Sequence, residues 1–579
     1  MIDYNPESIL LAHGLLQDPG AVPLVIAVVG HRDPLPEFLP LLRQNFRLQL
    51  EQLIDRHPHT PLLMLNGLAE GMDSEAAEVF LDVIDADRQR REAKAPHHQL
   101  VAALPKAPHA YRADFEDPAA LARMQILLQR CDGILHPGNC LELQVPPAEG
   151  GDAKAVDPSA CYGQQGIFLV RHCFLLFGFF DGVDTRLLGG TSQTIAMQKG
   201  EIHPLFLSVD EVLANKEPGA LVLHRTPRCK AGSPRSGAGD VQIWAPGSAV
   251  NHMPTSEGLV LPETLLKIPA KLESINAAIA KPDFHATTYN DSEGRYTRLW
   301  SFADQQAGKY KQSYESWCRV LVIVGFALIL LAQLSPFVKG IWYTLLLLAF
   351  LVFPRLQQGP KLEFISQRCL AECLTVQHLW IALAIEDDAA DLFHSRSNSE
   401  LGWLRTVLRA VRLQLLSFHS NEERIYSSAI CKAQIWINGQ LDFLNKKIVM
   451  FVGLKRRWQA IAVVLAAAAV VLAFLESVPN FPSHQLAPWI VVLLAGFASA
   501  LAYSNLIGYA ETADRYKRSV RQFERGQSAL TILSQDADEK PEMTKARQRI
   551  VIEALGREKL DELNDWVAGQ LERIYAPGA

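Results

Sequence analysis

The sequence predicts an α/β domain built on a parallel sheet, followed by a mainly α-helical membrane domain with four transmembrane helices in two hairpins. Three observations carry this expectation. Apolar runs alternate with helix-patterned stretches over residues 23 to 205, four charge-free apolar stretches follow residue 319, and Lys and Arg collect on one side of those stretches.

Composition sets the frame. The 579 residues suggest several folding units. With 56 Lys and Arg against 62 Asp and Glu the net charge is −6, so no global basic field draws the chain to nucleic acid, and no nucleic-acid partner is expected. The mean hydropathy of +0.06 is high for a soluble enzyme of this size. Nine cysteines without paired CxxC knuckles fit reduced thiols, and neither a disulfide framework nor a metal site is expected. The first twenty residues lack a basic segment followed by an apolar run and a small-residue cleavage site, which places the N-terminus in the cytosol.

In the N-terminal third, PLVIAVVG, PLLMLNG, HQLVAALP and GILHPG read as strands buried on both faces. Helical patterns begin near Glu37, Glu70 and Pro118 between them. This is a doubly wound α/β pattern, in which the ligand crevice lies past the carboxyl ends of the strands. Gly30, His31, Arg32 and Asp33 follow the first strand; Gly67, Glu70, Gly71 and Asp73 follow the second. Pro105, Tyr111, Asp114 and Phe115 follow the third, and Gly189, Gly190 and Thr191 open a later helix. Two glycines before a helix N-terminus let backbone approach an anion. Arg32 can grip a phosphate in a fork, and Asp33, Glu70 and Asp73 can accept from ribose hydroxyls. Neither GxxxxGK[ST] nor GxGxxG is present, which removes the usual support for a nucleoside triphosphatase or a dehydrogenase.

Four stretches hold the apolar excess: Val320 to Leu334, Ile341 to Phe353, Trp458 to Leu475 and Pro488 to Ile507. A helix needs about 20 apolar residues to cross a hydrocarbon core of roughly 30 Å. The first reaches that length only when extended through Ser335 to Val338, and the second offers 13 residues before Pro354. Lys311, Arg319, Arg355, Lys361, Lys455, Arg456, Arg457, Arg515, Lys517 and Arg518 flank the two hairpins, while Lys339 alone sits in a hairpin turn. The bias puts both termini and the middle segment in the cytosol. Few polar groups lie at mid-membrane, which argues against substrate transport.

The connecting segments complete the division. Residues 1–226 form the first domain, 227–258 a Pro-, Gly- and Ser-rich linker, and 259–318 a connector region. In that region Ile268, Leu272, Ile275 and Ile279 recur at helical spacing, with Pro269 suited to a first turn. Residues 319–353 and 458–507 are the hairpins, 354–457 a helical segment, and 508–579 C-terminal helices. Cys369 and Cys373 fit core packing better than a metal site, and Trp403, Arg405, Trp436 and Gln440 are candidates for one polar-aromatic helix interface.

VVGHRD, NGLAEGMDSEAA, ALPKAPHAYRADF and LLGGTSQTIAMQKG, in this order, resemble the SLOG superfamily, related to the Lonely-guy nucleotide hydrolases and to the N-terminal region of melastatin-type TRP channels. The resemblance covers roughly residues 22 to 226. It implies a Rossmann-like domain that binds a nucleotide or a nucleotide-derived ligand through Gly30, Arg32, Gly67, Glu70, Gly71, Asp73, Gly189, Gly190 and Thr191. The hydrolytic branch carries PGGxGTxxE, whereas GGTSQTIAMQ here has no acid at the catalytic place, so sensing is favoured over hydrolysis. AECLTVQHLW and WINGQ resemble, less specifically, the SLATT group of membrane-helix effectors in bacterial conflict systems. Together the resemblances imply a nucleotide sensor joined to an inner-membrane effector, acting as a homo-oligomer in anti-phage defence by disrupting the bilayer. A membrane-anchored nucleotide or NAD hydrolase and a nucleotide-gated ion channel are the alternatives.

Overall fold

Val, Leu and Ile crowd the first strand because both its faces are covered. In β1 (Leu24–Gly30) every residue from Leu24 to Val28 is fully buried, and each of the Leu, Val and Ile side chains among them contributes roughly 1.5–3 kcal/mol. A computed structural model describes residues 21–92, 95–137, 159–185, 187–206, 220–230, 232–245, 251–253, 263–284, 294–334, 339–385, 387–393, 398–415, 422–478, 486–535 and 540–575. The chain divides into two units. The first comprises residues 1–302, 388–394 and 400–422; the second comprises 303–387, 395–399 and 423–579.

In the first unit β1, β2 (Leu62–Asn66), β3 (Gln99–Ala103) and β4 (Gly133–Leu135) are the four strands read from the sequence. Four more join them: β5 (Leu175–Phe180), β6 (Ala220–Arg225), β7 (Val241–Trp244) and β8 (Asn251–Met253). The sheet order is β4-β3-β2-β1-β5-β6-β7-β8, parallel through β6 and antiparallel beyond it. The helices α1 (Leu39–Arg56), α2 (Met72–Arg91), α3 (Pro118–Arg130), α4 (Ala160–His172) and α5 (Thr191–Gln198) connect the parallel strands. The start of α3 is set by Asp117, whose carboxylate accepts from the Ala119 and Ala120 N–H groups.

The sheet does not stop at residue 226. The stretch 227–258, expected to be a linker, supplies β7 and β8. Val241 and Ile243 are buried while Gln242 and Trp244 are half-buried, the period of two of a strand covered on one face. Four residues between Pro- and Gly-rich neighbours are too few for that period to stand out in the sequence. Residues 231, 246–250 and 254–258 of the stretch lie outside the described residues.

The connector helix α6 (Glu263–Ile279) buries Leu272, Ile275 and Ile279 as its spacing predicts, but Pro269 lies inside the helix and not in its first turn. Asn276 exchanges hydrogen bonds with both backbone groups of Val22, and Glu273 accepts from His59 N–H and the Thr60 hydroxyl. α6 is therefore held at the amino ends of β1 and β2.

The second unit is helical. Its elements are α7 (Gly294–Leu334), whose first residues belong with the first unit, α8 (Lys339–Ala382), α10 (Glu422–Glu476), α11 (Ala487–Ile507), α12 (Tyr509–Gln535) and α13 (Pro541–Tyr575). The intervening α9 (Asn398–Leu415) groups mostly with the first unit. Three helices among the described residues are long and apolar enough to cross a membrane: Arg298–Leu334, Ala429–Glu476 and Ala487–Gln535. In the first two, only 11% of the most apolar window is buried. The remaining stretch is a shorter apolar helix over Lys339–Ala349. Pro354 does not end that helix, which continues through Pro354 and Pro360 to Ala382; a missing N–H is tolerated where neighbouring groups relax around it. Residues 335–338, expected to extend the first apolar helix, and 479–485, within the second expected hairpin turn, lie outside the described residues.

Gly508, at a φ of 73°, ends α11 in the left-handed conformation, so the apolar segment stops at Ile507 as its composition predicts. Aromatic rings gather near this end: Trp458 against Tyr503 at 4.8 Å and Phe451 against Tyr509 at 5.9 Å. Cys369 and Cys373 are fully buried, as core packing requires. Trp403 and Arg405 belong to the first unit, and Trp436 and Gln440 to the second. Trp436 packs edge-on against Phe523, while Lys271 lies over the Trp403 ring.

Candidate functional site

The strand order reverses at β1: β2, β3 and β4 lie on one side of it, β5 and β6 on the other. Crossovers diverge to opposite faces at such a point, and in open α/β sheets the ligand crevice lies there, past the carboxyl ends of the strands. Gly30 ends β1; the other candidates named from the sequence lie on loops or helix starts that follow β1, β2, β3 or β5.

Glycines let these loops meet. Gly71 precedes α2 with φ +82°, and a Cβ there would stand 2.4 Å from the Arg32 carbonyl oxygen and 2.5 Å from that of His31. Met72 N–H donates to the His31 carbonyl at 3.1 Å, fixing the α2 N-terminus against the end of β1. A Cβ on Gly30 would strike Met72 Cβ at 2.4 Å, and one on Gly67 would strike the Gln165 amide at 2.4 Å. The Thr191 hydroxyl donates to the Gly30 carbonyl at 3.0 Å, which brings the Gly189-Gly190-Thr191 turn to the same strand end. Gly189 takes φ +74° and its N–H donates to Gln193.

The charges divide into two groups. Asp73 is buried in the first turn of α2; its Oδ1 meets no hydrogen-bond partner, and Oδ2 lies close to the Cβ direction of Gly67. Burial pushes its pKa up to about 7, opposed by the Arg32 charge and the backbone of Gly30 and Ala69. Above it Arg32 is exposed, 3.4 Å from the Tyr162 hydroxyl and 3.5 Å from the Asp114 carbonyl. Lys106 holds Asp114 at 2.7 Å and lies 5.4 Å from the centre of the Tyr162 ring; Arg32 lies 5.7 Å from the same centre. The Tyr162 hydroxyl donates to Asp114, and burial followed by Asp114 pushes its pKa up to about 12. Two cations thus lie 5.4 and 5.7 Å from the centre of one aromatic ring, and one of them, Arg32, acts on the buried Asp73, a set able to take a phosphorylated, ring-bearing ligand.

Two expected residues, His31 and Asp33, have other employment. His31 is buried, and its Nε2 lies 3.1 Å from Asp181 N and 3.2 Å from its carboxylate, so it joins the ends of β1 and β5; burial and then Arg228 lower its pKa. Asp33 accepts from Arg228 Nε through Oδ1 at 2.6 Å, which ties the loop after β1 to the segment after β6. Glu70 is half-buried on the turn before α2, with no hydrogen bond or ion pair to a described residue. Conversely, Lys106, Tyr162 and Gln165 belong to the site without having been singled out. Tyr162 and Gln165 lie on α4, beyond a poorly patterned stretch, and no local motif marks them.

Asp73 carries a pH prediction. A folded pKa near 7 lies above the ordinary 3.8, so between about pH 4 and 7 the unfolded chain has released a proton that the folded chain still holds. Stability therefore falls as pH rises through that window and levels off above it. Asp73→Asn is expected to flatten the dependence and to gain on the order of 3 kcal/mol relative to wild type at pH 8. Thermal unfolding of the detergent-solubilised chain at pH 5 and pH 8 reads both values; parallel curves for the two proteins would mean that Asp73 ionises freely.

No group of three or more metal-binding side chains occurs among the described residues. No family model, curated protein or solved structure matches this chain.

Proposed function

We propose that the chain senses a nucleotide or nucleotide-derived signal in the crevice and passes the binding event to a four-span membrane effector. On this reading the first unit is a Rossmann-like SLOG domain, and the effector lies in the bacterial inner membrane with both termini cytosolic. The homo-oligomeric effector opens or disrupts the bilayer as an anti-phage response.

The observation that carries the sensor half is the Arg32–Tyr162–Lys106 cluster over Asp73 at the strand-order reversal. Arg32 and Lys106 can take phosphate oxygens, Tyr162 offers a face for a base or sugar, and Asp73 Oδ1 can engage a hydroxyl. Support for the effector half comes from where apolar side chains lie. Ile461, Val463, Val464, Val470, Val471 and Phe474 are exposed by 45–70%, which costs free energy in water and none in lipid. The shorter stretch after Lys339 shares the property: Ile341, Leu345, Leu347, Leu348, Leu351 and Val352 are 42–62% exposed. Gln333 donates to the Tyr343 hydroxyl at 3.0 Å, a bond between the first two apolar helices that suits a hairpin.

Calorimetry on the full chain with cyclic and linear nucleotides and ADP-ribose tests the sensor half. Binding is expected for at least one, and Arg32→Ala is expected to weaken it about 10- to 100-fold, the loss of a charge-assisted hydrogen bond. Absence of binding across the panel, or binding indifferent to Arg32→Ala and Gly190→Trp, would refute it.

Asp73 also supports a second reading. A carboxyl group with a pKa of about 7 is suited to proton transfer at neutral pH, as a nucleotide or NAD hydrolase needs. Release of free base by the full chain, lost in Asp73→Asn, would select hydrolysis over sensing.

A further inference from the structure

Helix α4 carries the crevice at one end and, at the other, a cluster of charges from a segment that lies between the two apolar hairpins in sequence. We propose that α4 couples occupancy of the crevice to residues 388–393 and 400–415, with Arg171, Asp391 and Arg409 as the latch.

At the crevice end, Tyr162 bonds Asp114 and Arg32, and Gln165 donates to the Ala103 carbonyl at 2.6 Å. A ligand phosphate drawing Arg32 away competes with the contacts that hold Tyr162. Along the helix, Gly163 abuts the Phe206 ring and Gly166 abuts Thr194 on α5, so the middle of α4 has no slack for a sideways shift. From Tyr162 to Arg171 is about 14 Å at 1.5 Å per residue. A displacement of the near end must reach the far end, because the hydrogen-bonded helix transmits it as a rigid element.

At the far end, Arg409 donates to the Arg171 carbonyl at 2.8 Å, capping an orphan acceptor in the last turn of α4. The same guanidinium binds Asp391 at 2.9 Å, and Arg171 binds the other carboxylate oxygen at 3.3 Å. Arg405, Arg409 and Arg412 recur at i, i+4 and i+7 on α9. Arg405 donates to the Phe393 carbonyl and Arg412 pairs with Asp388, so all three hold the turn 388–393. Leu401, Leu404, Val407 and Leu408 bury the other face of α9. Breaking a largely buried carboxylate–guanidinium cluster leaves charges uncompensated, which makes the latch closed or open and not graded. The chain leaves this segment at residue 387 for the helix bearing the second apolar stretch, and at residue 423 for the helix bearing the third.

The coupling takes its trigger from the sensor reading, yet its test needs no ligand. Hydrogen–deuterium exchange is measured on the full chain in detergent. Tyr162→Phe removes one hydroxyl at the crevice end; peptides within 389–415 are expected to exchange about three- to tenfold faster, the scale of one lost hydrogen bond. Arg409→Gln is expected to do the same at residues 106–114 from the opposite end. Changes confined in both variants to the neighbourhood of the mutated residue would overturn the proposal. If Tyr162→Phe loosens the whole sheet, Arg409→Gln decides alone. Coupled ends in a chain that binds no nucleotide would sink the sensor and keep the latch; nucleotide binding with uncoupled ends would do the reverse.

Discussion

Gly71→Val is expected to cost the first unit roughly 4 kcal/mol or more, enough to leave little folded protein. Two penalties add at this position. The backbone sits at φ +82°, where a β-branched residue is strained, and the new Cβ would stand 2.4–2.6 Å from the His31 and Arg32 backbone. Backbone atoms at the end of a fully buried strand cannot move aside as a flexible side chain would. Gly232 supplies the control, since its φ is +84° and nothing lies within 4 Å of its Cβ direction. Gly232→Val should cost about 1–2 kcal/mol, the conformational part alone. Thermal unfolding of both variants separates the terms; equal losses would show that the loops after β1 and β2 are not packed as described.

Val464→Arg addresses the membrane. The side chain is 66% exposed on α10, and in water a charge at such a place would change stability by no more than about 0.5 kcal/mol. In a bilayer the same charge near the middle of a spanning helix costs roughly 3 kcal/mol. Ile550→Arg on α13, at 61% exposure, is the matched control outside the apolar stretches. The expected result is that Val464→Arg is lost from the membrane fraction or unfolds while Ile550→Arg behaves as wild type. Indistinguishable variants would mean that residues 458–475 do not lie in lipid.

Much of the site was legible because it depends on short segments. Gly30 closes a strand, and Gly67, Gly71, Asp73 and Thr191 sit one to seven residues after a strand or at a helix start, where composition alone marks a turn. Asp33 and His31 share that placement, but their roles depend on Arg228 and Asp181, which no local pattern links to them. Tyr162 and Lys106 were missed for the same reason, since their shared partner Asp114 is 48 residues from Tyr162 in sequence. In the second unit the end of the last apolar helix at Gly508 was readable, whereas the course of α8 past Pro354 was not, because whether a helix tolerates proline depends on its surroundings.

By itself the sequence determined which segments are strands buried on both faces, three of the four apolar stretches that lie on helices long enough to cross a membrane, and which loops have glycine where backbone must come close. These are properties of a few consecutive residues and of the solvent they avoid. Only the tertiary structure decided that β5 pairs with β1, that β7 and β8 extend the sheet, and that residues 388–394 and 400–422 belong with the first unit. Such pairings bring together residues tens to hundreds of positions apart. Their free energy comes from contacts that do not exist until the chain has folded, so no window along the sequence contains them.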